Sequence, residues 1–450
     1  MSNHKISSKD FGDHFLWGVA SSATQTEGAY DVDGKGLSIW DVFVTEKNKI
    51  LNHDTHFEAS NFYENYKTDI ALIKQMGIPN YRFSISWSRI LPHGIGEINQ
   101  VGLDFYHKII DCCLENGIEP FVTLYHWDLP HELELKGGWT NRQILGWFQE
   151  FTQVCATAFK GKVRHWMVLN EPMVFTGAGY FLGIHAPGKK GFKNFIPAMH
   201  HAILCQAIGY NTIKAIDSET QVGTTYSCSY ITPHSISLKD TEAANRVDAL
   251  LNRLFIEPTL GLGYPMDTLP FLKKVVKYTQ PEDDELMKVT FDFIGIQNYT
   301  REVIAHSIFT PYLNAKIIPA DKRKVYYTAM DWEVYPEAIY EMIIKFDSYE
   351  GVKKIMITEN GASFPDEFID GVVDDSHRSH FIKSYLEQVL NATKISSKVA
   401  GYFVWSLTDN FEWAEGYKQR FGLVYIDYST QERTIKNSGW WYKDFLESKE

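Results

Sequence analysis

A chain of 450 residues, 44% hydrophobic and 14% aromatic, holds enough apolar material for a large core, and length alone fits up to roughly three domains. With 44 basic against 56 acidic residues the net charge is −12, which argues against nucleic acid or an anionic membrane as partner and favours a neutral small substrate. The odd count of five cysteines, Cys112, Cys113, Cys155, Cys205 and Cys228, argues against a disulfide framework and for core-packing thiols.

The N-terminal "MSNHKISSKDFGDHF" is polar and lacks the apolar centre of a secretory leader. No later run approaches the roughly 18 apolar residues of a membrane span, so a cytoplasmic location is expected. Short runs rich in Val, Ile, Phe and Tyr then recur as strand candidates: "FLWGVA" (15–20), "YRFSI" (81–85), "PFVTLY" (120–125), "WMVLN" (166–170), "VGTTYS" (222–227), "FIGIQ" (293–297), "IMITEN" (355–360) and "YFVWSL" (402–407). Helical patterns lie between them. "ENYKTDIALIKQMG" (64–77) places Ile70, Ile73 and Met76 near helical spacing and stops on Gly77, and "GLDFYHKIIDCCLENG" (102–117) repeats the form with Gly117.

Eight strands, each followed by a helical stretch, predict an α/β fold with a parallel sheet closed into a (β/α)8 TIM barrel. No Pro/Ser-rich linker or low-complexity run interrupts the chain. A single domain over 1–450 is therefore expected, with 315–337 and 364–375 as long βα loops building the substrate mouth.

The C-terminal face of such a barrel carries the active site, so the polar residues at strand ends are informative. They are Gln25 and Glu27 past the first strand, Arg82 in the second, His126 after the third, Asn170 and Glu171 after the fourth, Tyr299 near the sixth, Glu359 on the seventh and Trp405 on the eighth. One glutamate alone reads as a solvated surface charge. Two that each close a buried run suit glycoside hydrolysis, where one carboxyl protonates the departing oxygen and the other attacks the anomeric carbon or activates water. Pro172 disfavours an α conformation at Glu171, which predicts an extended strand end there.

"FLWGVASSATQTEGA", "YRFSISWSRILP", "YHWDLP", "VLNEP", "ITENG" and "SLTDNFEWAEGYKQRFGLVYID", in this order from residue 15 to about 428, resemble the family 1 glycoside hydrolases, the retaining β-glucosidase family. The resemblance implies a (β/α)8 barrel with Glu171 of "NEP" as acid/base and Glu359 of "TENG" as nucleophile. It implies a sugar site of Gln25, His126, Trp127, Asn170, Glu412 and Trp413 on Trp405, with Phe421 beside it and Trp332 of "MDWEVYPE" on the aglycone side. It needs no cofactor and no metal. Beside it stands a physical expectation: Arg82 holds the Glu359 pKa down while Tyr299 donates to the charged form, and desolvation with the charge of Glu359 pushes Glu171 up.

The sixth strand reads "FIGIQNYT" where many members read Asn-Tyr-Tyr, so either Gln297 or Asn298 is the sugar contact, and Tyr299 keeps the place of the tyrosine facing the nucleophile. Glu412, read as a carboxylate accepting two sugar hydroxyls, would repel a phosphate, so unphosphorylated sugars are favoured; Glu171 favours O-glycosides. The expectation is an exo-acting β-glycosidase releasing glucose from short oligosaccharides such as cellobiose, as in cellulose degradation. Galactose and fucose stay open, as does homo-oligomer formation. A silent glycan-binding barrel is disfavoured by the presence of both glutamates. A metalloenzyme is disfavoured because "HELEL" (131–135) lacks a second histidine and His200 with His201 has no matching carboxylates.

Overall fold

The computed structural model describes residues 6–448. Its centre is a closed barrel of parallel strands, each hydrogen-bonded to its sequence neighbours, with the last pairing back on the first. In chain order these are β1 (Leu16–Ala20), β2 (Asn80–Ser84), β3 (Glu119–Tyr125), β4 (His165–Asn170), β5 (Gln221–Ser227), β6 (Phe293–Gln297), β7 (Ile355–Asn360) and β8 (Val399–Trp405). All eight predicted strands are present, although β8 starts and ends earlier than the 402–407 expected. Leu407 is drawn instead into the loop layer, where its backbone N–H donates to Ala20 O at 3.0 Å.

Helices wrap the outside: α1 (Phe62–Gln75), α2 (Gln100–Glu115), α3 (Ile144–Ala158), α4 (Phe192–Ile216), α5 (Leu238–Asp248), α6 (Glu337–Asp347), α7 (Ser376–Thr393) and α8 (Asn437–Leu446). In α1 the residues Phe62, Ile70 and Ile73 recur on one face and are buried. Gly77 and Gly117, just past α1 and α2, sit at φ of 67° and 73°, a left-handed stop that a β-carbon would resist.

Inside the barrel the strand period of two sorts the chemistry by height. Phe121, Met167, Phe293, Met356 and Phe403 make a dry cluster at the lower end. Two residues per step up β6 lead from Phe293 past Gly295 to Gln297, and on β8 from Phe403 to Trp405. On β4 and β7 the step is odd, from Met167 to Asn170 and from Met356 to Glu359. A register shift resolves each: β4 takes three residues, Met167 to Asn170, against Gly223 to Thr225, and β7 takes Ile357 to Glu359 against Ile296 to Gln297. Such bulges re-aim a side chain.

The 315–337 insertion contributes strand Ala315–Ile317 to a rim sheet with Tyr230–Pro233 and Arg301–His306, then returns Met330 and Trp332 to the mouth. The 364–375 insertion behaves otherwise. It folds into a small hairpin, and Asp366 and Asp375 are bound by Arg378. No residue of it lines the cavity described below. The five cysteines are all free, with Cys113, Cys155, Cys205 and Cys228 buried. Among the described residues no helix is long and apolar enough to cross a membrane, and no group of three or more His, Cys, Asp or Glu could hold a metal ion. His200 is held by Asp283 and Tyr264, and His201 by Trp139 O.

Candidate active site

The C-terminal ends of the strands open into a cavity of about 400 Å³. Gln25, His126, Trp127, Glu171, Tyr299, Trp332, Glu359, Trp405, Glu412, Trp413 and Phe421 all line it. Residues distant in sequence therefore meet in one place because they end or follow β1, β3, β4, β6, β7 and β8, whose C-terminal ends share one face.

At the floor, Arg82 is fully buried and bonds both the Glu359 carboxylate and Asn170 Oδ1, the latter at 2.6 Å. Tyr299 OH donates to Glu359 Oε2 at 2.7 Å, and Gln297 Nε2 donates to Glu359 Oε1 and to Asn170 Oδ1, each at 2.8 Å. Asn170 Nδ2 meets His126 Nε2 at 3.1 Å, and Trp127 Nε1 donates to Asn170 O at 2.9 Å. Glu359 is thus fixed by a cation, a phenol and an amide, with Arg82 and Gln297 fully buried and Tyr299 partly so. Asn298 lies apart from this network, its amide donating to Cys228 O and Thr300 O, each at 3.0 Å. Of Gln297 and Asn298, Gln297 is the one beside the carboxylate, and neither lines the cavity.

The backbone at Glu171 differs from the extended end expected. Its φ of 46° and ψ of 64° are left-handed. The strand passes directly into the short helix Pro172–Thr176, with Glu171 as the residue before its first turn and Pro172 at the position where a missing N–H costs nothing. Proline's clash disfavours the right-handed helical well, and the left-handed well lets the chain turn at once. Trp127 and Trp413 share this uncommon region, with φ of 76° and 49°. Left-handed non-glycine residues of this size cluster where a site needs them.

Electrostatics separate the two glutamates. Burial pushes Glu171 well above the ordinary carboxyl range, the charge of Glu359 adds to this, and a hydrogen bond with Ser227 and the charge of Arg82 oppose it. Glu359 is raised as well, by burial, with Arg82 and Tyr299 pulling it back. The expected net lowering by Arg82 is therefore corrected: desolvation outweighs one guanidinium and one phenol, so Glu359 is the easier of the two to ionise without being an unusually strong acid. Burial, then the charge of Arg82, drives His126 well below its usual pKa, leaving it neutral.

Glu412 is pushed up to about 8 by burial and by the charges of Glu359 and Glu415, against a hydrogen bond from Gln25. The carboxylate expected there is a protonated acid at neutral pH in the free protein, so it can donate as well as accept. Because its folded pKa lies above the ordinary 4.5, the folded state binds the extra proton between these values, and this contribution to stability fades as pH rises from 4.5 through about 8. Thermal melts of Glu412→Gln are expected to lose less Tm than the parent over that window.

The wall is aromatic. Trp127 and Trp413 have ring centroids 4.4 Å apart, Trp405 stacks with His126 at 6.0 Å, and Trp332 lies 5.3 Å from Tyr299 and 6.2 Å from Phe421. Flat apolar faces beside polar groups match the alternating C–H and hydroxyl surfaces of a pyranose.

Glu27, grouped with the strand-end residues, does not reach the cavity. Arg89 Nε and Tyr106 OH donate to it at 2.9 and 2.6 Å. Ser227, His185, Glu302 and Glu415 line the cavity and were not anticipated. Ser227 ends β5, so the strand-end rule applies to it directly; His185 stands in a loop, Glu302 in the rim strand Arg301–His306 and Glu415 in the short helical turn Trp413–Glu415, with no local signal.

The model of glycosyl hydrolase family 1 matches residues 7–450. The 1,4-beta-D-glucan glucohydrolase of Thermotoga neapolitana is 40% identical over 442 residues, 98% of this chain and 99% of that protein. Beta-glucosidase A of Acetivibrio thermocellus is 40% identical over 443 residues, 97% of this chain and 98% of its own. The solved structure of a family 1 β-glucosidase from Thermotoga maritima superposes with a TM-score of 0.93 at 39% identity, covering 97% of this chain and 98% of that one. With a family model spanning nearly its whole length, relatives at this identity and the closed barrel in common, this chain belongs to glycosyl hydrolase family 1.

Proposed function

We propose that this enzyme is a retaining, exo-acting β-glucosidase that releases the terminal non-reducing glucosyl residue of β-glucosides and short oligosaccharides such as cellobiose. The observation carrying this reading is the unequal pair of buried carboxyls, Glu171 well above the ordinary range and Glu359 anchored by Arg82 and Tyr299. Glu359 attacks the anomeric carbon while Glu171 protonates the departing oxygen. Once Glu359 is esterified its charge is gone, the Glu171 pKa falls, and Glu171 removes a proton from the incoming water. Asn170, held by Arg82 and Gln297, is placed to bond the 2-hydroxyl, an interaction that strengthens in the oxocarbenium-like transition state. Gln25, His126, Trp127, Glu412 and Trp413 bind the glycone over Trp405, and Trp332, Met330 and Phe421 form the aglycone wall.

The names of the relatives, β-glucosidases and a glucan glucohydrolase, support glucose as the glycone. An initial-rate panel of nitrophenyl β-glucoside, β-galactoside and β-fucoside with cellobiose and a 6-phosphoglucoside tests it. The glucoside and cellobiose are expected to lead, and the 6-phospho compound to be turned over at least about tenfold more slowly, because the cavity lining offers its phosphate no lysine or arginine. Proton NMR of the first product gives the stereochemistry: β-glucose appearing first is expected, and α-glucose first would overturn retention. The pH profile of kcat/KM should be bell-shaped, rising as Glu359 ionises and falling as Glu171 loses its proton. Glu171→Gln should remove the alkaline limb while keeping the acid one.

A further inference from the structure

The cavity mouth carries an acidic group that the proposed mechanism does not use. Glu302 stands second in the rim strand Arg301–His306 and lines the cavity with Ser229, Thr300 and Trp332. Strand alternation explains its direction. Arg301 turns to Glu333 and lies 3.8 Å over the Tyr335 ring, whereas Ile304, on the same side as Glu302, packs against Ala243 and Val247 of α5.

The cations near Glu302 are already engaged. Arg301 Nε and Nη2 donate to the Glu333 carboxylate at 2.8 and 2.9 Å, and Arg323 Nη1 donates to it at 2.5 Å. Burial pushes the Glu302 carboxyl up to about 7; Arg323 counters this and Glu333 adds to it, and no hydrogen bond contributes. Glu302 enters the cavity lining from the rim sheet and not from a barrel strand, next to Thr300 and Arg301, which bond Glu333, the neighbour of Trp332. A half-buried acid with no side-chain donor among the described residues, lining the cavity together with Trp332, Met330 and Phe421, lacks a partner that a ligand can bring.

The geometry points to Glu302 as a specificity-determining residue on the aglycone side, selecting leaving groups that carry a hydrogen-bond donor, either a hydroxyl of a second sugar or an ammonium, over bare aryl groups. This rests on the β-glucosidase reading. Trp332 supports the ring of the leaving group and Glu302 receives its donor. Since the contact is equal in ground and transition states, it acts on KM more than on kcat.

The test measures kcat and KM of the parent, Glu302→Leu and Glu302→Gln on phenyl, 4-(hydroxymethyl)phenyl and 4-(aminomethyl)phenyl β-D-glucosides and on cellobiose. Glu302→Leu is expected to leave phenyl glucoside within about twofold, which also reports an intact fold, and to raise KM about tenfold for the donor-bearing substrates. Glu302→Gln keeps an acceptor but no charge, so it should spare the hydroxyl substrates and lose the ammonium one. Loss confined to cellobiose and the hydroxymethyl compound identifies a sugar aglycone, and loss confined to the aminomethyl compound identifies a cationic one; both support the assignment. An equal loss on every substrate, or none, overturns it. A parent inactive on all of them defeats the β-glucosidase reading instead, so the two failures are distinguishable.

Discussion

Glu359→Gly is expected to lower hydrolysis of nitrophenyl β-glucoside by at least about 10⁴-fold, and sodium azide to restore product as the α-glucosyl azide. The argument starts from the floor of the cavity. Arg82, Gln297 and Tyr299 converge on the Glu359 oxygens, so removing the carboxylate leaves their donors around an anion-sized space. A small anion placed there attacks the anomeric carbon once, from the side Glu359 occupied, and one displacement inverts configuration. Glu171 remains to protonate the leaving group. Retained hydrolysis in the variant, or an azide of β configuration, would overturn the assignment of Glu359 as nucleophile.

Glu171→Ala is expected to separate substrates by leaving group. Dinitrophenyl glucoside departs without a proton, so glycosylation should slow little, whereas cellobiose should lose about 10²–10⁴-fold in kcat/KM. Azide again gives a test. It attacks the glycosyl-enzyme from the face Glu171 served, a second inversion, so the product is the β-glucosyl azide. Equal losses on both substrates would count against the acid role. The opposite configurations of the two azides assign the carboxyls independently of either rate.

Much of the barrel was legible in the sequence because its strands are buried on both sides. Runs such as "FIGI" (293–296) and "IMI" (355–357) are apolar throughout, and Gly77 and Gly117 punctuate the helices between them. The two glutamates could also be found, because a charge closing an apolar run is costly unless the chain needs it. Boundaries were less certain where loops compete for strand residues, as at Leu407.

The primary sequence on its own determined the order of strands and helices, the polar residues at the strand ends and the family motifs, all of which are local properties of the chain. Which face those residues take was decided by the tertiary structure. Strict alternation predicts that Asn170 points opposite to Met167 and Glu359 opposite to Met356. Only pairing with β5 and β6 creates the register shifts that turn them inward. The left-handed turn at Glu171, the displacement of Glu27 to Arg89 and the upward shift of Glu412 likewise depend on neighbours brought from distant segments. Burial and charge act through space, and no spacing along a single chain encodes which groups will share a cavity.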